Sequence, residues 1–259
     1  MTKILAITNQ KGGVGKTTTT VNLAASLAAA KQRVLLIDLD PQGNATMGSG
    51  VDKRDLQMSV YEVLLETKTI AEARVYSDAG KYDLLPANRD LAGAEIELVA
   101  LDHRETRLRD AVQLVALEYD FVLIDCPPAL NLLTLNGLCA ARSVMIPMQC
   151  EYYALEGLSD LVNTIRKVRA NLNPELEIEG LLRTMFDPRN ALAQQVSAQL
   201  QEHFGNKVYR TVIPRNIRLA EAPSYGVPVL YHDKSSKGSQ AYLALAGELL
   251  SSAMQPATV

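Results

Sequence analysis

The sequence predicts a single α/β domain, with a doubly wound, mostly parallel sheet flanked by helices. Short apolar runs alternate along the chain with longer stretches of helical spacing, and this alternation is typical of the fold class. Most of the runs are uninterrupted apolar blocks, as expected of strands that are buried on both faces of a parallel sheet. No repeat, linker or charge block marks a second domain, so we assign residues 1–253 to one domain and residues 254–259 to a short tail.

The individual elements follow from these patterns. The predicted strands are the short apolar runs Ile4–Thr8, Arg33–Asp38, Tyr82–Pro86, Phe121–Asp125, Ser143–Met148, Gly180–Met185, Val208–Ile213 and Val227–Tyr231. The predicted helices are the stretches with apolar residues three and four apart, which are Lys16–Lys31, Leu91–Leu117, Leu132–Ala141, Leu155–Asn171, Ala191–Phe204 and Ser239–Ser252.

Composition and charge are those of an ordinary folded protein. The chain has 259 residues, of which 47% are hydrophobic and 21% charged, with a formal net charge of -3. This charge argues against a protein that coats nucleic acid over its whole surface, but it leaves a local basic patch open. Cys126, Cys139 and Cys150 lack the spacing of a disulfide framework or a zinc site and are expected in the core. With no signal peptide and no apolar run of the ~18 residues that a membrane span needs, the sequence predicts a cytoplasmic protein.

A glycine-rich loop follows the first predicted strand and opens the first predicted helix. It reads QKGGVGKTT over residues 10–18, so its Gly-Lys-Thr matches the end of the P-loop pattern while Gln10 stands in place of the first glycine. The three loop glycines allow backbone N–H groups to converge on phosphate oxygens, and the helix N-terminus adds positive charge. The predicted nucleotide-binding residues in this stretch are Gly12, Gly13, Val14, Gly15, Lys16, Thr17 and Thr18.

Two lysines of the loop need separate explanations. Lys16 can bridge the β- and γ-phosphates, while the neighbouring hydroxyl of Thr17 can coordinate Mg²⁺. Lys11 is explained equally well, from the residues alone, as a solvated loop lysine. If Lys11 acts, its charge has to meet a phosphate from outside the loop, because Lys16 already fills the inside.

Two further predicted strands end in carboxylates, at the sheet edge where α/β proteins bind ligands. Asp125 closes an apolar run and is the better candidate for the acidic Mg²⁺ ligand. Asp40 precedes Pro41 and a Gln-Gly-Asn stretch, so it could reach the attacking water. Asp38 would support the residues of the site without contacting the ligands itself. The alternative for Asp40 is a carboxylate that caps a helix N-terminus. The predicted metal-binding residues are Thr17, Asp125 and Asp40.

The longer motifs resemble those of a known family. KGGVGKTT with Lys11, DLDPQGNAT at residues 38–46 and LIDCPP at residues 123–128 resemble the deviant Walker-A ATPases. QCEYYALEGL at 149–158, YRTVIPRN at 209–216 and RLAEAPSYG at 218–226 narrow the resemblance to the ParA/Soj chromosome- and plasmid-partitioning ATPases. The loop alone is shared with MinD, so the later motifs carry the assignment, which covers nearly the whole chain.

The resemblance implies roles for individual residues. In the family, the lysine that corresponds to Lys11 crosses a dimer interface and touches the ATP of the partner subunit, which adds Lys11 to the nucleotide-binding residues. Lys11, Lys16 and Asp40 are then the predicted catalytic residues, with Asp40 orienting the hydrolytic water and Asp125 as the Walker-B carboxylate. The resemblance also places Pro214 near the adenine, and it implies ATP and Mg²⁺ as cofactors.

The resemblance further implies an ATPase that acts as a switch in DNA segregation. ATP and Mg²⁺ would drive a homodimer that binds double-stranded DNA non-specifically at the nucleoid, and a ParB-type centromere-binding protein would stimulate the slow hydrolysis that releases it. Residues 183–237 carry eight basic against four acidic residues, which solvated surface charge explains about as well as DNA binding. The resemblance selects Arg189 and Arg218 as DNA-binding residues.

Two other functions remain open on the sequence. A membrane-associated cell-division regulator of the MinD type shares the loop. Residues 242–254 carry only Glu248 as a charge, however, and lack the basic amphipathic helix that anchors MinD, so we expect no membrane partner. A metabolic ligase or kinase with the same loop would need a pocket for a small co-substrate.

Overall fold

A single eight-stranded sheet forms the centre of the structure, a computed structural model that describes residues 2–254. Its strands are β1 (Lys3–Ile7), β2 (Val34–Asp38), β3 (Val75–Ser77), β4 (Tyr82–Leu85), β5 (Phe121–Asp125), β6 (Ser143–Gln149), β7 (Glu177–Phe186) and β8 (Val208–Pro214). They lie in the order β3-β4-β2-β5-β1-β6-β7-β8, and only β3 pairs in the antiparallel direction with its neighbour. The predicted doubly wound, mostly parallel α/β sheet is confirmed.

Helices cover both faces of this sheet. They are α1 (Lys16–Ala29), α2 (Asn44–Gly48), α3 (Val60–Leu64), α4 (Ile70–Ala73), α5 (Leu91–Val99), α6 (Arg107–Val115), α7 (Leu132–Ala140), α8 (Ala154–Asn171), α9 (Ala191–Phe204), α10 (Ile217–Glu221), α11 (Val229–His232) and α12 (Lys237–Met254). Buried residues of α1, α2 and α10–α12 form one core layer, and those of α3–α9 form the other. In β1, Leu5 and Ile7 belong to the first layer and Ile4 and Ala6 to the second, which explains why the strand is apolar throughout.

The central strands end at one level, and this places the predicted acidic residues together. Asp125 is in register with Ile7 of β1 on one side and with Asp38 of β2 on the other. From β1 the chain crosses to β2 on one side of β1 in the sheet, whereas the later strands β6–β8 lie on the other side of β1. The carboxyl end of β1 therefore lies at a topological switch point, where open α/β sheets form their ligand crevice.

The predicted strand Val227–Tyr231 is wrong, because this stretch contains the short helix α11. Pro228 precedes the helical turn, and the backbone N–H of Val229 donates to Asn22 Oδ1 of α1 at 2.7 Å. Val229 and Leu230 are buried, and Val229 belongs to the core layer that contains α1. A short apolar run fits a buried strand or a buried helical turn equally well, and contact with α1 selects the turn.

The predicted helix Leu91–Leu117 is interrupted and forms α5 and α6. Asn136 of α7 stabilises the break, since its Nδ2 donates to the carbonyl of Arg104 at 2.7 Å and its Oδ1 accepts from the N–H of Leu108 at 3.1 Å. The edge strand β3 was not predicted; it has three residues and its central Tyr76 is exposed. Of the predicted tail, residues 255–259 lie outside the described residues, and α12 ends at Met254.

The three cysteines are buried and have free thiols, as expected for core residues. Within residues 2–254, we find no helix with the length and apolar character that crossing a membrane requires.

Candidate nucleotide-binding site

The loop between β1 and α1 has the backbone shape that phosphate binding requires. Gly13 and Gly15 have φ angles of +74° and +88°, which glycine adopts without strain. At Gly12 a Cβ would meet no atom within 4 Å, so the fold itself leaves this position open to a ligand. The carbonyl of Val14 accepts a hydrogen bond from Thr184 Oγ1 at 2.7 Å, which fixes the loop against β7.

The N-terminus of α1 is free to receive an anion. Gly15 precedes the helix and has no side chain with which to cap it, so the first N–H groups are left for a ligand. Lys16 is only 7% exposed, and its Nζ donates to the carbonyl of Lys11 at 3.2 Å. Burial lowers the pKa of Lys16, while the charge of Asp125 opposes this shift. A phosphate bound between the loop and Lys16 would place a negative charge beside this buried amine and favour its protonated form.

Asp125 is suited to a cation, because one of its buried oxygens is unpaired. Oδ1 accepts from Thr20 Oγ1 at 3.0 Å, whereas Oδ2 has no hydrogen-bond partner among the described residues. Burial raises the pKa of Asp125, and the neighbouring charge of Asp38 raises it further, although the hydroxyl of Thr17 opposes the shift. A divalent cation would favour the charged carboxylate and satisfy the orphaned oxygen. Thr17 and Asp125 therefore fit Mg²⁺, with phosphate and water as the remaining ligands.

Asp38 is fully buried and fixes the loop that carries Asp40. Its Oδ1 accepts from the N–H of Asp40 at 3.1 Å, and its Oδ2 accepts from the N–H and the hydroxyl of Thr46, both at 2.8 Å. Thr46 Oγ1 in turn accepts from the N–H of Ala87 at 2.9 Å. Asp40 is partly buried, and its carboxylate accepts from the N–H of Gln42 at 2.9 Å. Thr46 thus joins the Asp40 loop to the segment that follows β4, a role that no pattern in the sequence indicated.

Replacement of Thr46 by valine is expected to slow ATP hydrolysis about tenfold while ATP affinity changes less than about twofold. Valine has the same shape but removes both hydroxyl bonds that hold Asp38 and the Asp40 loop. Single-turnover phosphate release and nucleotide titration measure the two effects. Serine at position 46 should restore the rate, and Thr19→Val, which removes a buried hydroxyl bonded to Tyr242, is the matched control. Equal slowing by Thr19→Val, or no rescue by serine, would contradict the positioning role.

A cavity of about 210 Å³ lies beside the loop, between α1 and the ends of β7 and β8. Pro214, which the resemblance placed near the adenine, lines it, together with Gly15 and Thr18 of the loop segment. Asn216, the last residue of the YRTVIPRN motif, lines it as well, and so does Met185, which no motif marked. The position next to the phosphate loop and the mixed apolar and polar lining suit a nucleotide base.

Lys11 differs from the other loop residues, because its side chain is half exposed. Its Nζ forms an ion pair with Glu151, which is also half exposed. The next two residues, Tyr152 and Tyr153, are 74% and 71% exposed, and their rings meet edge to face. Two exposed aromatic rings beside a ligand site are typical of a protein interface.

The two arginines predicted to bind DNA lie outside this site. Arg189 follows β7 and pairs with Asp187. Arg218 lies in α10 and pairs with Glu221 and Asp233. Neither arginine lines the cavity beside the phosphate loop, and each lies beside carboxylates.

The parallel sheet, the glycine loop before α1 and the buried acidic residue beside it define the chain as a P-loop ATPase. Residues 2–178 match the family described as "AAA domain". The sporulation initiation inhibitor protein Soj of Bacillus subtilis is 54% identical over 249 residues, covering 96% of this chain and 98% of that protein. The chromosome partitioning protein ParA of Myxococcus xanthus is 53% identical over 248 residues, covering 96% and 88%. The chain belongs to the ParA/Soj family of chromosome-partitioning ATPases.

Solved structures agree with this assignment and with the cofactors. A cobyrinic acid a,c-diamide synthase from Mycobacterium smegmatis, with a bound ATP analogue and magnesium, is 40% identical with a TM-score of 0.85, covering 96% of this chain and 95% of that one. MinD from Pyrococcus horikoshii, complexed with Mg-ADP, is 26% identical with a TM-score of 0.80 and full coverage of both chains (100% and 100%). The predicted ATPase class and the predicted cofactors, ATP and Mg²⁺, are confirmed.

Proposed function

We propose that this chain is an ATP-driven switch for DNA segregation, in which nucleotide occupancy controls self-association. ATP with Mg²⁺ drives two chains into a dimer that encloses both nucleotides, and this dimer binds double-stranded DNA without sequence preference. Hydrolysis, stimulated by a ParB-type centromere-binding protein, returns the chain to a monomer that releases DNA. The observation that carries the proposal is that Lys11 is half exposed and lies beside exposed aromatic rings, whereas the phosphate loop already has the buried Lys16 inside it.

The geometry of the site supports the nucleotide contacts that we propose. In the proposal the loop residues from Gly12 to Thr18 bind the phosphates, and Pro214 lies against the base. Thr17 and Asp125 hold Mg²⁺, to which Asp40 contributes through water. Asp40 also orients the hydrolytic water, and Asp38 fixes its loop by accepting from the N–H of Asp40.

Lys11 supplies the link between nucleotide and association. Lys16 lies inside the loop and is buried, so a second lysine in the loop can meet a phosphate only across an interface. The pair between Lys11 and Glu151 is exposed, and such pairs contribute only about 0–1 kcal/mol, so a phosphate readily replaces the carboxylate. A cation that arrives only on dimerisation makes ATP binding and association mutually dependent.

Lys11→Ala is expected to bind ATP as a monomer, because it keeps the phosphate loop and loses the cation that crosses the interface. Sedimentation velocity with a non-hydrolysable ATP analogue and Mg²⁺ measures the effect. Lys68→Ala is the matched control, since Lys68 is also an exposed lysine paired with a glutamate, Glu72, and should dimerise as the parent does. A dimer of normal stability from Lys11→Ala would remove Lys11 from the interface.

Arg189→Glu and Arg218→Glu are expected to keep the ATP-dependent dimer and to lose DNA binding at least about tenfold each. Each change replaces two attractive charges per dimer with two repulsive ones, and the affinity for DNA falls steeply with lost phosphate contacts. Fluorescence anisotropy with a random-sequence duplex measures it. Arg54→Glu is the control, because Arg54 is an exposed arginine paired with an aspartate outside residues 183–237. Intact binding in both test variants would exclude this DNA surface.

One comparison separates this proposal from a MinD-like function, which the likeness to the Pyrococcus protein keeps in view. The chain with the ATP analogue is offered a DNA duplex and, separately, anionic lipid vesicles. We expect DNA binding, no vesicle binding, and a cytoplasmic protein that associates with the nucleoid. Vesicle binding without DNA binding would favour the MinD-like function, and turnover stimulated by a metabolite would favour a ligase.

A further inference from the structure

Carboxylates hold both of the arginines that are proposed to contact DNA. Arg189 donates to Asp187 three times, from its backbone N–H and its Nε at 3.0 Å and from Nη2 at 2.8 Å. Arg218 Nη1 donates to Glu221 Oε2 at 2.7 Å, and its Nε lies 3.4 Å from Asp233 Oδ2. The side chain of Arg189 is 88% exposed and that of Arg218 is 48% exposed, so DNA phosphates could reach the same guanidinium groups.

The carboxylates remain charged in this arrangement. The guanidinium of Arg189, with a smaller contribution from the charge of Arg215, lowers the pKa of Asp187 to about 2. The guanidinium of Arg218 lowers the pKa of Glu221, and the hydroxyl of Ser235 lowers that of Asp233. The positive charge of each arginine is therefore opposed at contact distance at neutral pH.

A DNA phosphate that approaches either arginine meets two effects of these carboxylates. It has to replace an existing charged hydrogen bond, and the displaced carboxylate remains close enough to repel it. Exposed ion pairs of this kind add little to fold stability by themselves. A switch that has to release DNA on returning to a monomer requires weak contacts per subunit, which two subunits then combine.

We propose that Asp187, Glu221 and Asp233 set the DNA affinity of the chain by competing with phosphate for Arg189 and Arg218. This inference rests on the proposed DNA binding and adds how the affinity for DNA is regulated. The ATP-bound dimer then binds DNA below the affinity that its arginines alone would give, and release after hydrolysis is fast.

The test neutralises one carboxylate at a time with the amide of the same shape. Asp187→Asn and Glu221→Gln are titrated with a random-sequence duplex in the presence of a non-hydrolysable ATP analogue and Mg²⁺, at several salt concentrations. Each variant is expected to bind about threefold to tenfold more tightly than the parent at low salt, with the gain shrinking as salt screens the charges. Sedimentation checks that the ATP-dependent dimer is unchanged.

Asp52→Asn is the matched control for Asp187→Asn. Asp52 accepts from Arg54 with the same spacing of two residues, through the backbone N–H at 3.0 Å and Nε at 2.9 Å, but it lies outside residues 183–237. It should change DNA affinity less than about twofold, although it alters the net charge equally. Equal tightening by Asp52→Asn would show a general charge effect and overturn the inference. So would unchanged or weaker binding in both test variants while the parent binds DNA. A parent that binds no DNA would overturn the proposed function itself.

Discussion

Lys16→Ala is expected to abolish ATP binding, with a loss of at least about 100-fold in affinity. The amine is 7% exposed and lies inside the phosphate loop, where it can form charge-assisted bonds that alanine cannot replace. Two such bonds, at about 1.5–3 kcal/mol each, account for a loss of this size. Isothermal titration with ATP and Mg²⁺ measures it.

The Lys16→Ala variant should still fold, since the substitution removes a buried amine whose charged form is disfavoured by burial. Burial lowers the pKa of Lys16, so the charged amine is disfavoured in the nucleotide-free protein and its removal should not lower the unfolding temperature. Lys3→Ala, which removes a lysine paired with Glu179 at 2.5 Å away from the loop, should leave ATP affinity unchanged. Normal ATP affinity in Lys16→Ala would contradict the role of this loop.

Asp40→Ala is expected to bind ATP and to dimerise with it, but to hydrolyse it at least about 100-fold more slowly. The hydrogen bonds found for Asp40 join it to Asp38, Gln42 and Gly43. Orientation of water by a positioned carboxylate typically contributes rate factors of about 100 or more. Phosphate release in a single turnover measures the rate, and nucleotide titration the affinity. Asp78→Ala removes an aspartate that is 92% exposed and should leave both unchanged. Undiminished turnover in Asp40→Ala would exclude Asp40 as the water-orienting residue.

The central part of the fold was predictable from sequence because its signals are local. The central strands β1, β2 and β5 consist almost entirely of apolar residues, and the glycines before α1 mark the loop directly. The placement of Asp38 and Asp125 at one edge of the sheet also followed, since parallel strands end at the same edge. The structure adds that their two strands are adjacent.

The elements that were not predicted depend on contacts made elsewhere in the chain. Residues Val229–His232 form a helical turn because Asn22 of α1 binds the N–H of Val229, and nothing near this segment in sequence marks that contact. Asn136 likewise stabilises the break between α5 and α6 from another helix. Edge strand β3 is too short for its alternation to be read from three residues.

Within the site, too, the features marked by local sequence were predictable and the contacts made through other parts of the chain were not. The loop, the buried lysine and the two strand-end aspartates were found from their spacing. The hydroxyl of Thr46 that supports Asp38 and the hydroxyl of Thr184 that supports Val14 were not, because their partners lie 8 and 170 residues away. Asp187 and Glu221 are close in sequence to Arg189 and Arg218, but only the structure shows that they form direct ion pairs.

The mass of the Asp40→Ala variant in solution, measured by sedimentation equilibrium with ATP and with ADP, tests the central claim most directly. The proposal predicts a dimer with ATP and Mg²⁺, of twice the 28.2 kDa chain mass, and a monomer of 28.2 kDa with ADP. A monomer of 28.2 kDa in both nucleotides, at concentrations that saturate the site, would contradict a switch in which ATP occupancy controls self-association.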